Sequence, residues 1–167
     1  GRYHFKDDWE FYDTLVTSFE YDDAMITWEG MCCQGKQYYG RGRGATIHGT
    51  GGTLLIDRGG YQVYDLNDKM LTEVKAAKAA TTQDLRSIDD MTTAHFQNFV
   101  NGIRSGETLH SPISDGQISV TILLLSNIAW KYNRTLTLDT ANGHILNDAE
   151  AMSMWRREYE RGWEPTV

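Results

Sequence analysis

Gln37, Tyr38, Tyr39, Arg41, Arg43 and His48 gather, within one short stretch, side-chain types that handle a polyhydroxylated ligand. Aromatic faces pack on the C–H surfaces of a sugar, and planar donors reach its hydroxyls or a carboxylate. The stretch is a candidate substrate-binding group for a sugar or polyol. The same residues also suit a solvated loop beside an edge strand or a dimer contact, and the sequence leaves both readings open.

The other reactive residues form no such group. His4, His110 and His144 are dispersed, and His95 borders an apolar helical stripe, where a structural histidine is expected. No His, Asp or Glu cluster has zinc-ligand spacing, so no metal site is assigned. Ser105 and Ser111 lack an elbow motif or a recognisable base, and no catalytic residue is assigned. Gly40-Arg41-Gly42-Arg43-Gly44 and Gly49-Thr50-Gly51-Gly52 lead into strand-like sequence rather than a helix. They read as turn glycines, and no cofactor-binding residue is assigned. Cys32 and Cys33 are adjacent in a strand-like segment, which would turn them to opposite faces. Two free cysteines are expected, with a vicinal bridge or a reactive thiol as the alternatives. Asn133-Arg134-Thr135 fits the glycosylation pattern, a match that also arises by chance.

The elements that must position these groups are antiparallel strands followed by helices. Strand-like sequence starts at the first residues. Leu15, Thr17, Phe19 and Tyr21 alternate with Thr14, Val16, Ser18 and Glu20, Asp22-Asp23 supplies a turn, and Ala24 to Glu29 alternates again: a hairpin. Thr53–Asp57, Tyr61–Leu66 and Met70–Val74 repeat the pattern across turns at Arg58-Gly59-Gly60 and Asn67-Asp68-Lys69. Residues 76–90 read as a loop. A helix capped by Asp89 or Asp90 follows, its Phe96, Phe99, Val100 and Ile103 forming a stripe expected to pack on the sheet. A second helix opens on the box Ser114-Asp115-Gly116-Gln117, with Ile113 and Ile118 as a staple, and is apolar around most of its surface. A short strand, Thr135–Asp139, precedes a last helix starting at Asn147. That helix should carry Met152, Trp155 and Tyr159 on one side and Arg156, Arg157 and Arg161 at its end.

A chain of 167 residues, 40% of them hydrophobic, can build one domain with a proper core. Its net charge of −7 argues against a nucleic-acid partner, which needs concentrated Lys and Arg. Ile118 to Ala129, the longest apolar run, is broken by Ser119, Thr121, Ser126 and Asn127, so no membrane span is expected. Both faces of the strands carry sizeable side chains, which points to a homo-oligomer through the open sheet face.

Gly49-Thr50-Gly51-Gly52-Thr53-Leu54-Leu55-Ile56-Asp57 and the stretch His95 to Gly106 resemble the second, sheet-forming domain of one enzyme family. This is the glucose-fructose oxidoreductase, inositol dehydrogenase and MocA (Gfo/Idh/MocA) family of NAD(P)-dependent oxidoreductases. Asp115-Gly116 opening a long helix, the strand Asn133 to Asp139, and the segments Asn147 to Ala151 and Trp163-Glu164-Pro165 extend the resemblance over nearly the whole chain. It implies an α+β fold, a predominantly antiparallel sheet with helices on one face, as in dehydrogenase C-terminal (GAPDH C-terminal-like) domains. It further implies a single substrate-binding and oligomerisation domain over residues 1–167, partnered by an N-terminal Rossmann domain that this sequence lacks. NAD or NADP would belong to the full-length parent and not to this fragment, which would be inactive alone. The family's Glu-Lys-Pro lysine and its glycine-rich Asp/His motif are absent here, so the resemblance transfers no catalytic residue. The competing reading is a stand-alone, non-enzymatic ligand-binding or assembly module.

Overall fold

The computed structural model describes residues 1–76 and 90–164; the loop expected over 76–90 and the cap at Asp89 therefore fall, apart from their ends, outside the described residues. In chain order the elements are β1 Thr14–Glu20, β2 Met25–Met31, β3 Ala45–Gly49, β4 Gly52–Asp57, β5 Gly60–Tyr64, β6 Met70–Lys75, α1 Asp90–Ser105, α2 Ile113–Tyr132, β7 Thr137–Leu138, β8 Ile145–Leu146 and α3 Ala149–Met152. A 3₁₀ turn, Ser153–Trp155, extends α3. The class is α+β with antiparallel sheets. The chain divides into two compact units, Gly1–Cys32 with Ser111–Val167, and Cys33–His110.

In the first unit β1 and β2 pair as the alternation predicts, Leu15 facing Gly30, Thr17 facing Trp28 and Phe19 facing Ile26. The Trp28 indole lies over Gly30, where an added Cβ would meet it at 2.1 Å. The segment before β1 is not the expected strand. It is irregular because the Asp13 carboxylate accepts the amides of Tyr3 (3.0 Å), His4 (2.8 Å) and Phe5 (3.1 Å), leaving them no ladder to join. Those bonds favour the charged carboxylate, and they hold its pKa down at about 2. Cys32 and Cys33 also fall outside a strand. They form the turn after β2, where the Cys32 amide takes the Asp13 carbonyl at 2.8 Å, beyond the end of β1.

Helix α2 begins ahead of the anticipated box. Pro112, with φ −67°, is preset for a helix start, and its carbonyl accepts from the Asp115 and Gly116 amides at 3.1 Å. Ser114 instead donates to Asp115, and Ile113 is exposed, so no staple forms. The far end closes on Asn133, left-handed at φ 51°, with amides 133 and 134 returning to Ala129. Leu125 and Ile128 bury against Ile145 and Ala151, with Tyr132, Leu136, Leu138, Met152 and Trp155 around them. Much of the remaining apolar surface of α2, at Ile118, Val120, Leu123 and Leu124, is exposed rather than enclosed. Phe11 and Tyr12 pack on Trp130, with ring centroids 6.2 and 5.3 Å away, and the Tyr12 hydroxyl donates to Asn127 at 2.8 Å. α3 is far shorter than expected. Asp148 caps it by accepting from Ala151, and after Met152 the chain tightens into the 3₁₀ turn, where Ser153 Oγ donates to the Glu150 carbonyl at 2.7 Å. Arg156 is already extended, so Arg156, Arg157 and Arg161 do not end a helix.

The second unit is a meander in the order β3-β4-β5-β6, together with α1. Thr50-Gly51 and Arg58-Gly59 make two-residue turns, and Asp65 organises the longer one by accepting from Asn67 and Lys69 at 2.8 and 3.0 Å. Gly60 has φ +123°, and an added Cβ would stand 2.0 Å from the Val74 carbonyl oxygen, so this strand entry requires glycine. On α1 the expected stripe is not the packed face: Phe96, Phe99 and Ile103 are exposed, while Asn98 is buried. Asn98 donates to Glu107 and the Thr108 carbonyl and accepts from the His110 amide, and Leu109 packs on Gly102. The helix therefore fastens its polar side to the loop that follows it.

Candidate functional site

Tyr38 to Arg41 form a tight turn. The Tyr38 amide donates to the Arg41 carbonyl at 2.9 Å and the reverse bond is 2.8 Å, with Tyr39 and Gly40 at φ 52° and 73°, the signature of a type I′ loop. The turn is fastened to the sheet by an ion pair between Arg41 Nη1 and Asp57 Oδ1 at the end of β4. The same carboxylate oxygen accepts the Gly59 amide at 2.7 Å. Gly44 lets the chain enter β3 against β4, since a Cβ there would lie 2.6 Å from the Ile56 carbonyl oxygen.

The register of the meander sorts its side chains. One face carries Ile47, Leu54, Ile56, Tyr61, Val63 and Val74. The opposite face has one rung of His48, Thr53 and Tyr64, and another of Thr46, Leu55, Gln62 and Glu73, with Asp57 and Lys75 on the next. These polar groups are linked. The Tyr64 hydroxyl donates to Gln62 Oε1 at 3.3 Å, Gln62 Nε2 donates to Glu73 Oε1 at 2.8 Å, and Lys75 Nζ lies 3.2 Å from Glu73 Oε2. Gln62 above all, then Lys75 and the charge of Arg41, hold the Glu73 carboxyl below its ordinary range. His48 Nδ1 sits 3.1 Å from Thr53 Oγ1. The arrangement offers hydroxyl, amide, carboxylate and cationic groups on one wall, the donor and acceptor mixture a polyol needs.

Of the residues singled out in the sequence, Tyr38, Tyr39 and Arg41 are brought together by the turn, and Arg41 reaches the polar face through Asp57. His48 lies on that face but on another rung, and Gln37 is exposed in the loop before the turn. Arg43 borders an open depression of about 400 Å³ with Gly44, Asp57, Arg58 and Met91. Asp57, Gln62, Tyr64, Glu73 and Lys75 were not singled out. The alternation of Gln62 and Tyr64 with Tyr61 and Val63, and of Glu73 and Lys75 with Thr72 and Val74, is the signal that finds them.

Gly49–Gly52 closes the β3–β4 hairpin and Gly40–Gly44 leads into β3. Neither stretch meets a helix N-terminus, the place where a dinucleotide pyrophosphate is held. Among the described residues no cluster of three His, Cys, Asp or Glu could hold a metal ion, and no helix is long and apolar enough to cross a membrane. Comparison with family models, with curated proteins and with solved structures finds no match.

Proposed function

We propose that this chain is the substrate-side and oligomerisation domain of an NAD(P)-dependent oxidoreductase acting on the CH–OH of a sugar or polyol, akin to the Gfo/Idh/MocA family. The polar wall of the meander carries the reading. Gln62, Tyr64 and Glu73 present linked donors and acceptors, with His48 on the same face and Arg41 held to it through Asp57, a set suited to binding and orienting hydroxyls. The motifs that carry the resemblance support it by their placement: Gly49–Leu54 turns into β4, His95–Gly106 covers most of α1, Asp115-Gly116 lies in the first turn of α2 and Asn133–Asp139 spans β7. The nicotinamide and the group that moves the hydroxyl proton would come from a Rossmann domain outside this sequence, so no hydride step is assigned to these residues.

Calorimetric titration of NADH into this chain and into a longer protein joining it to a Rossmann domain tests the reading. Binding by the longer protein alone supports it. Comparable binding by this chain overturns the placement of the cofactor, and no binding by either favours a non-enzymatic ligand-binding or assembly module. The module reading draws on a separate observation, the exposure of Ile47, Ile56, Tyr61 and Val74 on the apolar face of the meander.

A further inference from the structure

We propose that the cavity lined by Arg2, Asp7 and Trp9 is a subsite for one neutral sugar or polyol ring. The inference goes beyond the reading of the polar wall and does not rest on it, because these residues belong to the other unit. The cavity measures about 180 Å³, with Phe5, Tyr12 and Asp13 also in its wall. A water takes roughly 30 Å³, so one six-membered ring fits and a chain of rings does not. The charges of the lining are already matched. Arg2 Nη2 donates to Asp7 Oδ1 and to the Phe5 carbonyl, and Asp13 accepts the Tyr3, His4 and Phe5 amides. A charged ligand would meet no unpaired counter-charge here, and a neutral one needs none. What is left over is one donor. Arg2 Nη1 is buried and has no hydrogen-bond partner among the described residues, a state that buried N–H groups seldom keep. Asp7 supplies the complementary acceptor: its Oδ1 takes Arg2 and the Trp9 amide, bonds that hold the carboxyl below its ordinary range, while the side chain stays 57% exposed. Adjacent hydroxyls of a ring can accept from Nη1, once the guanidinium tilts toward them, and donate to the Asp7 carboxylate. Phe5, Trp9 and Tyr12 suit the C–H faces of that ring. The Tyr12 hydroxyl is engaged by Asn127 at 2.8 Å, so Tyr12 contributes its aromatic surface.

The test follows the Trp9 indole N–H by nuclear magnetic resonance in the isotope-labelled chain, its signal being the one lost in Trp9→Phe. Glucose and myo-inositol should shift it saturably. Either should also slow alkylation of Cys32, which lines the same cavity, in a Cys33→Ser background. Glucuronate should bind no more tightly than glucose, and benzamide at least about tenfold more weakly. Arg2→Gln should weaken glucose by about tenfold or more. Trp9→Ala removes a side chain that is 68% exposed, so the fold stays intact, and it should abolish the protection of Cys32. The absence of a saturable shift with either sugar overturns the subsite, as does protection of Cys32 that survives Trp9→Ala. Glucuronate about tenfold tighter than glucose, or benzamide as tight as glucose, overturns the neutral sugar as its ligand. Gln62→Ala separates this subsite from the polar wall: the Trp9 shift should persist in that variant, and glucose binding that vanishes there without ever moving the Trp9 signal overturns the inference made here while leaving the reading of the wall in place.

Discussion

Leu125 and Ile128 of α2 bury against Ile145 and Ala151, whereas the meander buries Leu55 alone among the apolar side chains described in its unit. The first region is held by the removal of apolar surface from water, a non-directional force that tolerates irregular elements as short as β8 and α3. The second is held by backbone ladders and a directional polar network, and it leaves Ile47, Tyr61 and Val74 substantially in solvent. A sheet that does not spend its side chains on a core keeps them for recognition. The difference places the candidate site in the second unit and the main packed core in the first.

Leu125→Ala tests the contrast most severely. Removing a buried leucine should cost about 3 kcal/mol and lower amide protection in α2 and β8, while the β4–β5 ladder keeps its exchange rates. Equal loss of protection in both units would break the distinction. Gly60→Ala attacks the meander through its backbone. The strained φ and the clash with the Val74 carbonyl should cost about 2 kcal/mol or more and weaken the β5–β6 ladder, with α2 unaffected by hydrogen exchange.

Acid addresses a polar anchor in the first unit. Because the folded pKa of Asp13 lies at about 2, below its ordinary 3.8, its contribution is fully present above about pH 4 and is lost as pH falls toward 2. Asp13→Asn should therefore lower the melting temperature by several degrees near neutrality, and the gap from the parent should narrow across that acid window. A constant gap from pH 7 to 2 would show that the charge is not the stabilising element. The smallest effect is expected at Ile47→Thr, within about 0.5 kcal/mol, since Ile47 is 55% exposed. Sedimentation of the same variant checks the apolar face: loss of self-association without loss of stability would make that face a contact between copies.

The β1–β2 hairpin, the succession of β4, β5 and β6 and the α+β class were legible because alternation with a period of two survives in β1, β2, β4 and β5, although Gly60, read as part of the turn, pairs with Asp57 inside the ladder. The packed side of α1 was not. Phe96, Phe99 and Ile103 announce an apolar seam, but the three hydrogen bonds of Asn98 to residues 107–110 decide the contact, and their partners lie beyond the helix. The length of α3 escaped as well: Met152, Trp155 and Tyr159 keep a helical spacing, but the chain passes into a 3₁₀ turn at Ser153 and is extended by Arg156. At the site, Tyr38, Tyr39 and Arg41 were visible as chemistry in one stretch. Their partner Asp57 was hidden because the ion pair joins residues on different elements, and Gln62 and Glu73 became neighbours only through the β5–β6 register.

Asp13 makes the irregular segment before β1 a host with a tethered guest. Three successive amides converge on one carboxylate, the geometry by which proteins hold free anions, and the chain supplies the anion itself at a high effective concentration. An Asp13→Gly variant would open that receptor, and millimolar acetate or formate should then return part of the lost thermal stability by occupying it, chemical complementation of a side chain by its own small-molecule equivalent.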